Sequence, residues 1–106
     1  MAGQFIINID EAFLALRTEE NSGNTNIVMG LLEAIPSYIE TGTGIKNATV
    51  AADVYPLIKT LAKFLLCLWY NPDGTDAAQL QTVVNNLLKT LKAMASEINA
   101  ATAGGS

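Results

Sequence analysis

The residues whose types allow chemistry are few. They are two adjacent acid pairs, Asp10–Glu11 and Glu19–Glu20, one cysteine, Cys67, and a short glycine-containing segment, Gly42-Thr43-Gly44. Paired carboxylates divide into acid and base where their surroundings push their pKa values apart. Asp10 and Glu11, however, stand at an expected helix start, where negative charge complements the helix dipole. Glu19 and Glu20 lie in a polar stretch and read as solvated. Gly42-Thr43-Gly44 lacks the downstream Gly-Lys-Ser/Thr and the preceding strand of a phosphate loop. Cys67 sits inside an apolar run with Lys63 as its nearest charge, which suits a small buried hydrophobe better than a reactive thiolate.

The chain contains no histidine. That removes the commonest general base and the commonest zinc ligand. Ser22, Ser37, Ser96 and Ser106 therefore lack their usual activating partner. A single cysteine forms no internal disulfide. No catalytic, metal-binding or cofactor-binding residue is assigned, no cofactor is expected, and an enzyme is not expected. Trp69 and Tyr70 close an apolar helix and are expected to cap the core with their polar tips outward.

The elements that would have to position any site are helical. The run Leu57–Tyr70 places Leu57, Leu61, Phe64, Leu65 and Leu68 at helical spacing, and Leu66, Cys67 and Trp69 fill its other side. A helix apolar nearly all round must be covered by neighbours. The fold class expected is all-α, a small bundle of about four helices around this central helix, at about 51–70. A first helix spans Ile9 to Arg17, with Asn8 as N-cap, Glu11 three residues on as in a capping box, and Ile7 placed to staple against Ala12. Thr18 to Thr25 reads as a loop. A second helix begins near Thr25 or Asn26 and carries the stripe Val28, Leu31, Leu32, Ile35, Tyr38 and Ile39. Pro36 lies within it, so a kink or a break and restart is expected. Gly42 is the expected C′ residue. The central helix starts between Val50 and Val54 and tolerates Pro56 in its first turn. It ends at the turn Asn71-Pro72-Asp73-Gly74.

A last helix starts near Thr75 or Asp76. Its Leu80, Val84, Leu87, Leu91, Met94 and Ile98 recur at spacings of 4, 3, 4, 3 and 4. Such a seam packs either on the chain's own core or on another subunit. The organisation expected is an extended N-terminal arm over 1–7, one helical domain over 8–99, and a frayed tail over 100–106. For the apolar arm, too, two readings are open: it tucks onto the core or joins a neighbouring subunit. Candidate subunit-contact residues are Phe5, Ile6 and Ile7 of the arm and Leu87, Leu91 and Met94 of the last helix.

Length and composition fit this picture. One domain is expected from 106 residues, of which 50% are apolar and 15% charged. The net charge is −4, with 6 basic residues, and these are spread along the chain without a cluster. Tight electrostatic binding of DNA or anionic lipid is therefore not expected. No stretch reaches the roughly 18–20 uninterrupted apolar residues of a membrane span. The N-terminus lacks the basic region and long apolar core of a signal peptide. A soluble protein made in a cytoplasm, with surplus apolar surface that favours association, is the expectation.

The order of features resembles the small helical head–tail connector (DNA-packaging) proteins of tailed bacteriophages. Ile9-Asp10-Glu11-Ala12-Phe13-Leu14-Ala15-Leu16-Arg17 is similar to that family's opening helix, and Thr18-Glu19-Glu20-Asn21 to its polar acidic loop. Ala34-Ile35-Pro36-Ser37-Tyr38-Ile39-Glu40-Thr41-Gly42-Thr43-Gly44 resembles the phrase that closes its second helix, with Pro36 unusual for the family. Leu65-Leu66-Cys67-Leu68-Trp69-Tyr70-Asn71 resembles the apolar run and aromatic pair of its third, with Pro72 where the family has a basic residue. The likeness covers about residues 5 to 71; beyond it this chain has a long amphipathic helix where the family has a short one.

The resemblance implies a structural role. Copies would form a homo-oligomeric ring beneath the phage portal, contact portal and tail-completion proteins, and leave a channel through which DNA passes without sequence-specific binding. The protein would be made in the bacterial host cytoplasm and reside in the virion. Two other readings stand beside it. One is a different virion completion protein; the other is a cytoplasmic helical adaptor or regulator that dimerises through its C-terminal amphipathic helix.

Overall fold

A computed structural model describes residues 6–16, 22–71 and 74–103. Five helices follow in order: α1 Ile9–Leu16, α2 Ser22–Thr43, α3 Ala48–Val54, α4 Pro56–Tyr70 and α5 Ala77–Ala103. No strand occurs among the described residues. The fold is all-α, with five helices where about four were expected.

Each helix end has a physical cause. At α1, Asn8 and Glu11 form the reciprocal capping box. The Glu11 amide donates to Asn8 Oδ1 at 2.8 Å, and the Asn8 amide donates to Glu11 Oε1 at 3.1 Å. Ile7 and Ala12, the expected staple pair, are both buried in the core. Glu11 Oε2 also lies 3.2 Å from Lys59 Nζ, so one carboxylate caps α1 and ties it to α4. The Asn8 backbone amide, together with Lys59, holds the Glu11 carboxyl below its ordinary value of 4.5, against a smaller opposing effect of burial.

Helix α2 begins at Ser22, earlier than expected, so the anticipated loop is helical from that residue; its portion over 18–21, like the expected helix end at Arg17, lies outside the described residues. Gly23 falls on the exposed side of the first turn, where its cost of about 1 kcal/mol relative to alanine is tolerable. The helix runs through Pro36 without the break and restart that were one alternative. Proline removes the N–H that would have reached the Leu32 carbonyl, and its ring crowds that oxygen. Ile35 and Ile39, on either side of it, are fully buried and hold both halves on the same core. The C′ residue is Gly44, not Gly42. Its φ of 85° is the left-handed conformation, and its amide donates to the Glu40 carbonyl at 2.9 Å. Gly42 remains inside the helix.

The expected central helix is two helices. Tyr55 leaves the helical region with φ −115° and ψ 97°, as the residue before a proline is pushed to do. Pro56 then opens α4 at its first position, where its missing N–H costs nothing. In the first turn of α4 Ile58 is fully buried while Leu57, expected on the core face, is 41% exposed. Helix α4 packs against α1, α2, α3 and α5. Tyr38 of α2 meets Trp69 of α4 edge to face, ring centroids 5.1 Å apart.

Helix α5 spans about 40 Å at 1.5 Å per residue, which matches the longest dimension of the 40 × 32 × 18 Å body. Val84, Leu91, Ala95 and Ile98 are buried along it, and Leu80, Leu87, Leu88 and Met94 pack half-buried against the core. It continues to Ala103, where fraying from residue 100 was expected; residues 104–106 lie outside the described residues.

Three substitutions test these assignments. Leu65→Asp puts an unpaired charge into the core beneath α4 and is expected to abolish the cooperative thermal transition; a normal melt would contradict the packing of α4. Ile7→Ala is expected to lower stability by about 2–4 kcal/mol in urea denaturation, whereas an Ile7 that served only a partner would leave the midpoint unchanged. A carboxyl with a depressed pKa stabilises above its unfolded value and loses that contribution as pH falls through the folded value. Glu11→Gln keeps a capping side chain but not the charge. Its deficit relative to the parent, about 0.5–1 kcal/mol near pH 7, is therefore expected to shrink below pH 4.5 and vanish in stronger acid. A deficit independent of pH would show that the charge plays no part.

Candidate functional site

Core burial decides what the six candidate contact residues have left to offer. Phe5 lies outside the described residues. Ile6 and Ile7 are 7% and 1% exposed, packed within the chain's own core rather than extended as an arm. On α5, Leu91 is fully buried, and Leu87 and Met94 are half-buried against the same core. The seam from Leu80 to Ile98 thus faces α2, α3 and α4. A partner approaching α5 would meet the rims of Leu87 and Met94, not the seam itself.

The exposed apolar surface lies elsewhere. Leu14 is 79% exposed and Val54 60%, and Ile27, Val50, Leu57, Tyr38 and Val83 are also large apolar side chains facing water. Leu14 and Ile27 sit beside the helical stripes, next to Phe13 and Val28, whereas Tyr38 and Leu57 were expected on them.

Helix α3 reverses the usual pattern. Its buried residues are Ala48, Ala51 and Ala52, while its branched residues Val50 and Val54 face outward. Alanine faces allow close approach of backbones; here they seat α3 against α2, α4 and α5.

The residues with chemical potential are bound into the architecture. Asp10 and Glu11 occupy the first turn of α1, and Glu11 is engaged by Asn8 and Lys59. Gly42 and Thr43 close α2. The buried Thr43 hydroxyl donates to the Ile39 carbonyl at 2.6 Å and accepts from the Ile45 amide at 3.2 Å. Cys67 is half-buried, its Sγ 3.7 Å from the Ala15 carbonyl oxygen, and burial pushes the thiol pKa up. This is the opposite of what an activated thiolate requires.

A cleft of about 710 Å³ opens where the end of α1, the end of α4 and the start of α5 converge. Phe64, Cys67 and Tyr70 form one wall, and Thr75, Asp76 and Leu80 another. Among the described residues, no group of three or more His, Cys, Asp or Glu side chains is placed to hold a metal ion. Also among them, no helix is long and apolar enough to cross a membrane.

The phrases that carried the family resemblance have structural roles within the chain. Glu40 accepts the Gly44 amide on its carbonyl and the Ala48 amide on Oε2 at 3.0 Å. Trp69 packs on Tyr38, and the Asn71 amide closes α4 on the Cys67 carbonyl.

No protein-family model, curated protein or solved structure matches this chain.

Proposed function

We propose that this chain is a structural protein of a tailed bacteriophage or prophage, a head–tail connector that assembles with copies of itself into a ring beneath the portal. The observation that carries this reading is the ordered series of phrases at Ile9–Arg17, Ala34–Gly44 and Leu65–Asn71. In this reading four helices surround α4 as the hub of each subunit, and the protein is not an enzyme. Its partners are further copies, the portal and tail-completion proteins. DNA passes through the ring without sequence-specific binding, which suits a net charge of −4 and dispersed basic residues. The protein is made in the host cytoplasm and resides in the virion.

Ring contacts are heterologous, so two different faces of one subunit must be complementary. Exposed Leu14, Ile27, Val50 and Val54 lie on three helices, α1, α2 and α3, and supply apolar contact area outside the core. The alternative of a dimer joined through α5 is less favoured, because Leu91 and Ile98 are already covered within the chain.

Light scattering on a sizing column at high protein concentration, with negative-stain images of any large species, tests the proposal. A particle of many 11.2 kDa subunits with a central hole is the expected result, in isolation or on addition of purified portal. A dimer that dissociates on Leu87→Asp would replace this reading with the adaptor. A monomer that fails to bind portal would overturn it.

A further inference from the structure

Helix α3 and the junction before it differ from the rest of the fold in how they are held. The unit is bounded by two backbone articulations. On one side Gly44 takes φ 85°; on the other Tyr55 leaves the helix ahead of Pro56. Between them the buried surface of α3 is three alanine methyl groups, from Ala48, Ala51 and Ala52, and the larger Val50 and Val54 face water. A seven-residue helix is too short to persist on propensity alone. An alanine buries far less apolar area than the leucines and isoleucines that anchor α4 and α5. Ile45, in the junction, is the unit's one large fully buried side chain.

Two polar clasps hold the unit in place. Asn99, on α5, uses both ends of its amide: its Oδ1 accepts from the Lys46 amide at 2.8 Å, and its Nδ2 donates to the Gly44 carbonyl at 3.0 Å. Those two bonds bracket Ile45. Glu40, on α2, accepts the Ala48 amide on Oε2 at 3.0 Å. Asn47, at the N-cap of α3, makes no side-chain cap bond, so Glu40 supplies that function from a neighbouring helix. The Asn99 bonds are made at exposed positions, where water competes for both partners.

We propose that residues 44–55 form a hinged flap that opens independently of the rest of the fold, with Asn99 and Glu40 as its latches. Opening swings α3 about Gly44 and Tyr55 and uncovers the apolar surfaces of α2, α4 and α5 on which its alanines rest. Closing requires the Asn99 fork to recapture the two peptide groups flanking Ile45. Helix α5 thereby controls α3 through a residue that directly follows its buried Ile98.

Native-state hydrogen exchange, under conditions where exchange reports opening equilibria, tests the flap. In the parent chain the amides of Lys46, Ala48, Ala51 and Tyr55 are expected to exchange faster than those of 61–68 in α4 and 84–98 in α5. Asn99→Ala removes both bonds and is expected to speed exchange of the flap amides by roughly ten- to a hundredfold, leaving the α4 and α5 amides at their former rates relative to global unfolding. Asn99→Asp keeps the acceptor for the Lys46 amide but loses the donor to Gly44, so its effect is expected to be intermediate. Glu40→Ala is expected to act on the same amides, and Glu40→Gln, which retains the acceptor oxygen, less so. Equal protection of flap, α4 and α5 amides in the parent would overturn the proposal. So would an Asn99→Ala effect that speeds all three sets by one factor, because residues 44–55 would then unfold only with the whole chain.

Discussion

From Leu61 to Tyr70, no side chain of α4 is exposed. Leu61, Ala62, Leu65, Leu66 and Leu68 are buried and Lys63, Phe64, Cys67, Trp69 and Tyr70 partly covered, and α1, α2, α3 and α5 all pack against this helix. α1 is held on it by Phe13 and by the Glu11–Lys59 pair. α2 brings the stripe Val28, Leu32, Ile35 and Ile39, and sets Tyr38 against Trp69. α5 lays its longest face along the same core. Even Ile6 and Ile7, ahead of α1, are drawn in. Buried in this way, Ile6 and Ile7 have little surface left to offer a neighbour.

The break at Tyr55–Pro56 has the next largest consequence. One helix through 48–70 would carry Val50, Val54 and Leu57 on a continuous stripe. In the broken arrangement α3 has its alanines inward and its valines outward, and Leu57, in the first turn of α4, also faces solvent. What α3 gives up in buried area is offset partly by side-chain to backbone hydrogen bonds from α2 and α5. Glu40 illustrates the economy of the arrangement: its carbonyl ends α2 by accepting from Gly44, and its carboxylate starts α3 by accepting from Ala48. The two helices are joined across a tight junction by one residue.

Local sequence grammar revealed those features whose partners are local. The capping box needs Asn8 and Glu11 three residues apart, and both bonds are present. The 4-3-4-3-4 stripe of α5 and the apolar run of α4 needed only periodicity. The start of α2 at Ser22, the substitution of Gly44 for Gly42 at its C′ position and the break before Pro56 depended on which of several permissive residues the tertiary packing would use. The Asn99 fork was illegible for a different reason. Its bonds join residues 53 and 55 positions apart, and an asparagine late in an amphipathic helix carries no mark of what it will clasp. The candidate contact residues show a further limit of the same kind. Apolar spacing reports that Ile7 and Leu91 will be covered, but it is silent on whether the cover comes from the same chain or another.

That distinction bears on how a chain of this size can associate. The stripes easiest to read in sequence are those spent on the internal core, so they are the least available for partners. The apolar side chains left exposed are Leu14 on α1, Ile27 and Tyr38 on α2, Val50 and Val54 on α3, Leu57 on α4 and Val83 on α5, of which Tyr38 and Leu57 were expected on the stripes. They are distributed over all five helices. An isologous dimer needs one self-complementary patch, whereas a closed ring needs two unlike faces, each of modest area. In the proposed ring, the contacts between copies would draw on these dispersed residues.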